Sequence, residues 1–186
     1  MNLIDLETID YDVPTQPVDN RNLPNDVFTA IHTSGSTGEP KLAGLTHLNG
    51  VNFIFYRQHT FKNIKQTIAA TISTFDAFVY ETLASLCNGT PVVLLNEEQI
   101  MNANAFSDTV CDYEDSFLFA TPTKLRGYLN NCPTRDFIKH IRYLSVGGEI
   151  FPDELRESVR KENVNAEIFN IYGPTEATIN VTEKSI

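Results

Sequence analysis

Short apolar runs alternate along the chain with longer amphipathic stretches, and that alternation limits the available folds more than any other feature. Strand-type runs occupy residues 27–32, 67–73, 91–95, 116–120, 141–146 and 166–171. Mostly amphipathic stretches lie between them, at about 47–60, 76–88, 98–113, 122–131 and 152–163. The runs are apolar along most of their length, which marks strands covered on both faces. Strands of that kind, separated by helices, specify an α/β fold: doubly wound, with a mainly parallel sheet and helices on both faces. Local signals mark helix ends. Asp76 precedes Val79, Leu83 and Leu86 as an expected N-cap, with Gly89 as the C′ glycine. Pro152 is expected in a first helical turn, with Asp153 and Glu154 at the positive dipole end. Residues 1–25, broken by Pro14, Pro17 and Pro24, read as an extended lead-in, which leaves 26–186 as the α/β unit.

A length of 186 residues suits one hydrophobic core of ordinary size. With 24 Asp+Glu against 14 Lys+Arg, the formal net charge is −10. That balance excludes a nucleic-acid partner held by bulk charge. A small anion is still allowed, provided that local dipoles and well-placed cations hold it. Cys87, Cys111 and Cys132 are an odd number without C-x-x-C spacing, and read as small buried hydrophobes. His32, His47, His59 and His140 show no metal-ligand spacing. The N-terminus has no secretory pattern, and no apolar stretch is long enough to span a bilayer, so a soluble cytoplasmic protein without a membrane partner is expected.

Three glycine-bearing clusters follow expected strands. The first is Thr33-Ser34-Gly35-Ser36-Thr37-Gly38-Glu39-Pro40-Lys41. Its glycines let backbone N–H groups converge, its hydroxyls donate, and Lys41 supplies a point charge, a combination that suits an oxyanion. It is not a Walker loop, because Glu39 and Pro40 separate Gly38 from Lys41. A plain surface loop has the same composition. The second cluster, Val146-Gly147-Gly148-Glu149, permits close approach of a flat ligand or merely a tight turn. The third is Asn170-Ile171-Tyr172-Gly173-Pro174-Thr175-Glu176-Ala177-Thr178. Here Tyr172 offers a stacking face, Thr175 a phosphate donor and Glu176 a hard-cation ligand, while a capped turn is the plain alternative.

Together with FDAFVYE (residues 75–81), these clusters resemble in order the core motifs of the adenylate-forming superfamily. The likeness is greatest to the amino-acid adenylation domains of non-ribosomal peptide synthetases, and covers about 26–182. Such domains form an aminoacyl-AMP from ATP and an amino acid, then pass the acyl group to a phosphopantetheine thiol. The resemblance implies that Thr33, Ser34, Gly35, Ser36, Thr37, Gly38 and Lys41 cover the β- and γ-phosphates. It implies that Gly148, Glu149, Asn170, Tyr172 and Gly173 surround the adenine, that Thr175 meets the α-phosphate, and that Glu176 binds Mg2+. Lys41, Thr175 and Glu176 are thus the catalytic candidates. Asp76 would pair with the substrate ammonium, which fits the need of a buried cation for a countercharge. Ala77, Tyr80, Phe119, Ser145, Gly147, Ile171, Ile179 and Asn180 would line the side-chain pocket. Their lining bears no charge, so a medium-sized apolar or weakly polar amino acid is expected, with a hydroxyl ligand for Ser145 or Asn180 left open.

The implied partners are a peptidyl carrier domain with its phosphopantetheine and the remainder of an adenylation domain. The ribose-binding aspartate, hinge and catalytic lysine implied by the resemblance find no match, so the chain is expected to be the central piece of a longer enzyme, inactive alone. Leu42 stands where the family has glycine after the loop lysine. Two other identities remain open. An acyl- or aryl-CoA ligase would leave the Asp76 carboxylate unpaired, at several kcal/mol. A non-catalytic α/β nucleotide-binding or interaction module would need none of the chemistry.

Overall fold

The computed structural model describes residues 17, 19–33 and 39–186. Ser34, Gly35, Ser36, Thr37 and Gly38 therefore lie outside the described residues, as does most of the expected lead-in; residues 19–26 are exposed. A six-stranded sheet forms the centre, in the order β4-β3-β5-β6-β7-β8. Its strands are β3 (Gln66–Ala69), β4 (Val92–Leu94), β5 (Ser116–Ala120), β6 (Ile141–Val146), β7 (Glu167–Tyr172) and β8 (Thr182–Ser185). The first five are mutually parallel, and β8 pairs antiparallel with β7. Every residue of β3 and β5 is buried, as in strands covered on both faces.

Helices cover the two faces. On one, α5 (Ala103–Cys111), α6 (Pro122–Asn131) and α7 (Asp153–Glu162) place Phe106, Leu125, Leu129 and Val159 against Ile68, Leu118, Leu144 and Ile168. On the other, α1 (His47–Tyr56) and the helix beginning at Ala77 place Phe53, Tyr80 and Ala84 against Phe117, Phe119, Tyr143 and Ile171. Side chains alternate across each strand, so β6 sends Leu144 and Val146 to the first core and Tyr143 to the second. No described helix is long and apolar enough to cross a membrane.

Several local expectations are corrected. The run at 27–32 is not a strand of the parallel sheet. It forms β1 (Val27–Thr33), an antiparallel partner of β2 (Lys41–Thr46) in a separate two-stranded sheet. Asp76 does not cap: it is helical at φ −63°, ψ −29°, and its side chain makes no capping bond. Backbone carbonyls already serve that turn, with Phe78 N–H donating to Phe75 O and Val79 N–H to Asp76 O. The stretch 76–88 divides into α2 (Ala77–Val79), a π-helical turn (Tyr80–Ala84) and α3 (Ser85–Cys87). The stretch 98–113 breaks into α4 (Glu97–Met101) and α5 at Asn102, whose side chain accepts from the Asn104 and Ala105 amides. Pro152 is the residue before α7, in extended backbone. Of the cysteines only Cys132 is buried; Cys87 is exposed.

Candidate functional site

Strand order sets the place of the site. β4 lies on one side of β3 and β5, β6 and β7 follow on the other, so connections diverge between β3 and β5. Open α/β sheets bind ligands at such a point, outside the carboxyl ends of the strands. A cavity of about 680 Å³ occupies it, bounded by Thr71 and Ile72 beyond β3 and by Ala120 and Thr121 at the end of β5. Its wall includes Asp76, Ala77, Phe119, Gly148 and Glu149. Five residues singled out from the sequence therefore share one cavity.

Asp76 is half-buried, and burial raises its carboxyl above the ordinary value; the Thr175 hydroxyl counteracts this, while the Glu176 charge adds to it. Thr175 and Glu176 belong to a short 3-10 turn (Thr175–Ala177) after β7. The first cluster reaches the same place by way of the β1–β2 hairpin: Thr33 Oγ1 donates to Glu176 Oε1 at 3.1 Å. Lys41 pairs with Thr33 across the hairpin and is exposed. Thr33, Lys41, Asp76, Thr175 and Glu176 thus come from three distant segments to one end of the sheet. Among the described residues, no group of three His, Cys, Asp or Glu side chains is arranged to hold a metal ion.

The loops after β5 and β6 are tied together. The Glu149 carboxylate accepts from Thr123 N–H at 3.1 Å and from Thr123 Oγ1 at 2.6 Å, on the first turn of α6. Gly148, at φ 83°, makes the turn that carries Glu149 there. Asn170 and Tyr172, at the end of β7, are exposed. Gly173 meets its neighbour closely: a Cβ built on it would lie 2.3 Å from Asn180 Cα.

Most of the expected side-chain pocket is interior. Ala77, Tyr80, Phe119, Ile171 and Ile179 pack in the second core, where Tyr80 has no exposed surface. Ile171 fills the space beside Gly147, and a Cβ there would lie 2.6 Å from Ile171 Cγ1. The Tyr80 hydroxyl accepts from Arg57. Thr178 and Ile179 adopt φ 68° and 70°, a region that β-branched residues rarely enter and that costs about 1–3 kcal/mol each.

Two charged residues at the site escaped the sequence reading. Glu81 is fully buried, accepts the Thr71 amide at 2.9 Å, and is pushed up to about 7, chiefly by burial. Lys124 lines the cavity and donates to Ala70 O; burial lowers its pKa and the Glu81 charge opposes that shift. Glu81 lies inside FDAFVYE, so the motif held a signal; Lys124 had none.

Residues 3–185 match the AMP-binding enzyme family. The chain belongs to that family. Gramicidin S synthase 2 of Brevibacillus brevis is 27% identical over 187 residues, covering 96% of this chain and 4% of that protein. The dimodular nonribosomal peptide synthase of Bacillus subtilis (strain 168) is 30% identical over 151 residues, covering 80% of this chain and 6% of the relative. Indigoidine synthase of Dickeya dadantii (strain 3937) is 30% identical over 182 residues, covering 91% and 11%. The chain therefore spans 11% or less of the length of these relatives. Two solved structures share its fold. The nonribosomal peptide synthetase FmoA3, bound to α-methyl-L-serine-AMP, superposes with TM-score 0.79 at 23% identity, over 88% of this chain and 18% of that one. A holo nonribosomal peptide synthetase protein containing adenylation and PCP domains gives TM-score 0.81 at 19% identity, over 98% and 31%. The α/β architecture with its mostly parallel sheet is that of these two structures.

Proposed function

We propose that this chain forms the ATP- and amino-acid-binding part of an adenylation domain, which activates an amino acid as aminoacyl-AMP for transfer to a carrier-domain phosphopantetheine. The observation that most supports this is the meeting of Asp76, Thr175, Glu176 and Thr33 at one end of the sheet, sealed by the Thr33–Glu176 hydrogen bond. A carboxylate partly withdrawn from water suits an ammonium group, and Asp76 is the ligand for the α-amino group. Thr175 beside it donates to the α-phosphate, which brings the carboxylate of the amino acid and the phosphorus it attacks within reach. Thr33 and Lys41 anchor the ends of the loop over the β- and γ-phosphates. Gly148, Glu149, Asn170, Tyr172 and Gly173 frame the adenine.

Magnesium fits the donor set. Glu176 is an exposed oxygen ligand next to Thr33, and magnesium is commonly held by one or two carboxylates together with substrate phosphates. When bound, it offsets phosphate charge. In this reading the 186-residue chain binds its ligands without turnover, because these residues bind and orient the reactants and none is assigned as a cation on the attacking carboxylate.

Calorimetry on the chain with ATP, magnesium and a panel of amino acids tests the proposal. Binding of ATP and of at least one amino acid is expected. Asp76→Asn should lower amino-acid affinity about 10- to 100-fold, the value of a hydrogen bond to a charged group, and leave ATP affinity nearly unchanged. No heat with ATP and magnesium, or equal loss of both ligands in Asp76→Asn, would overturn it.

A further inference from the structure

The peptide group that joins Ala70 to Thr71 is held from both sides by charged side chains. The β3 ladder ends just before it, where the last registered pairs are Ile68 with Leu118 and Ala69 with Leu94. Its polar groups therefore need partners outside the ladder. Thr71 N–H donates to Glu81 Oε2 at 2.9 Å, and Ala70 O accepts from Lys124 Nζ. The N–H and C=O of one trans peptide point in opposite directions, so the carboxylate and the ammonium lie on opposite sides of the chain. Glu81 sits in the π-helical turn that continues α2, next to Tyr80 of the second core. Lys124 sits on α6, next to Leu125 of the first core. The two charges thus come from helices on opposite faces of the sheet.

Packing alone does not account for the pair. Glu81 has no exposed surface, and its Oε1 has no hydrogen-bond partner. A buried charge so incompletely matched is unfavourable, and an apolar residue would avoid that penalty. What the pair holds is the segment leading to Asp76. Thr71, Asp76 and Lys124 all line the 680 Å³ cavity. Between Thr71 and Asp76, Ile72 and Phe75 are more than half exposed, so apolar contact does little to fix the turn. Phe75 N–H donates to Ile72 O at 3.1 Å, a bond internal to the turn that does not tie it to the sheet. Asp76 makes no capping bond. A carboxylate at the N–H and an ammonium at the C=O polarise the Ala70–Thr71 peptide in the same sense, so each charge-assisted bond strengthens the other.

We infer that Glu81 and Lys124 are positioning residues for amino-acid binding: by gripping the Ala70–Thr71 peptide from opposite faces of the sheet, they fix the turn that presents Asp76 to the cavity. This rests on the adenylation reading above, in which Asp76 receives the α-ammonium. Both residues act through the shared peptide, so the loss of either one loosens the hydrogen bond made by the other.

Two measurements on the chain as sequenced test this, both at about pH 8, above the value of about 7 that Glu81 reaches, so that it is ionised. The first needs no ligand: the Thr71 amide proton chemical shift, read by NMR, follows the strength of its hydrogen bond. Glu81→Met and Lys124→Met should both move it upfield, although Lys124 bonds to the carbonyl and not to the amide, and Lys124→Arg should restore it. The second is calorimetry with a panel of proteinogenic amino acids, and separately with ATP and magnesium. Each methionine variant should bind the best amino acid of the panel about tenfold or more weakly, the value of a charge-assisted hydrogen bond, with ATP affinity nearly unchanged. Lys124→Arg should recover most of that loss. Val159→Ala, which loosens the first core from α7, should lose stability while keeping amino-acid affinity. A Thr71 shift that ignores Lys124→Met, or an amino-acid affinity that follows stability alone across these variants, overturns the inference and leaves the adenylation reading intact. If no amino acid binds the unaltered chain, that reading fails, and this inference fails with it.

Discussion

Glu81 shows how much a single residue's environment differs from its sequence context. In an amphipathic stretch, a glutamate five residues beyond Asp76 reads as solvent-facing. The π-helical turn Tyr80–Ala84 begins just before it and shifts the helix face, so the carboxyl group lies fully buried against Thr71. Nothing in local composition announces that turn. Asp76 and Thr175 were singled out because each occupies a motif position. Glu81 and Lys124 depend on packing between elements far apart in sequence. Burial raises the folded-state pKa of Glu81 from 4.5 to about 7. Between those values the unfolded chain gives up a proton that the folded chain holds, so stability falls as pH rises through this window. One proton contributes at most about 1.4 kcal/mol per pH unit. Glu81→Gln should therefore remove part of the downward slope of unfolding free energy between about pH 5 and 7, measured in urea across that range. Identical slopes for the two proteins would mean that Glu81 is already ionised there.

At the scale of elements, the sequence indicated the sheet well and its borders poorly. Of the strands buried on both faces, β5 and β6 stand out as apolar runs, whereas β3 begins with the buried polar residues Gln66 and Thr67. β2 and β8 do not, because an exposed hairpin strand and a polar edge strand need little apolar surface. The described ends of the first cluster, Thr33 and Lys41, lie not at the end of a strand covered on both faces but on β1 and β2 of a partly exposed hairpin, and Thr33 reaches Glu176. The loop from β7 to β8 depends on Gly173. A Cβ at that position would meet Asn180 Cα at 2.3 Å and the Ile179 carbonyl oxygen at 2.8 Å, both backbone atoms that cannot swing aside. Gly173→Ala should destabilise the protein by about 1–3 kcal/mol, the range found for overpacking. It should also weaken amino-acid binding, since Ile179 and Asn180 must move. Denaturant midpoints and calorimetry on the same variant check both effects, and unchanged values would show that the loop relaxes freely.

For the whole molecule, the buried pair of Arg57 and Glu183 joins residues far apart in the sequence. Arg57 lies in the 3-10 turn Arg57–Phe61 after α1, and Glu183 on β8 opposite Ile171. Neither side chain is exposed beyond 5%. Tyr143 donates to the same carboxylate, and Arg57 donates to Tyr80, so the pair binds the sheet edge to the helical layer behind the pocket. Neither partner is marked in the sequence as buried: Arg57 follows an aromatic-rich stretch and Glu183 lies in a polar strand, and only the tertiary fold brings them together. Removing one member strands a charge away from water, which costs about 3–5 kcal/mol, whereas replacing both by apolar groups is often nearly neutral. Arg57→Met and Glu183→Leu should each destabilise by that amount, and the double variant by clearly less than the sum. Because β8 closes the loop that holds Thr175, Glu176 and Asn180, the single variants should also lose amino-acid affinity, and the double variant should regain stability more fully than binding. Strict additivity of the two stability losses would show that the charges do not depend on each other, and would leave β7–β8 pairing and apolar packing to hold the edge.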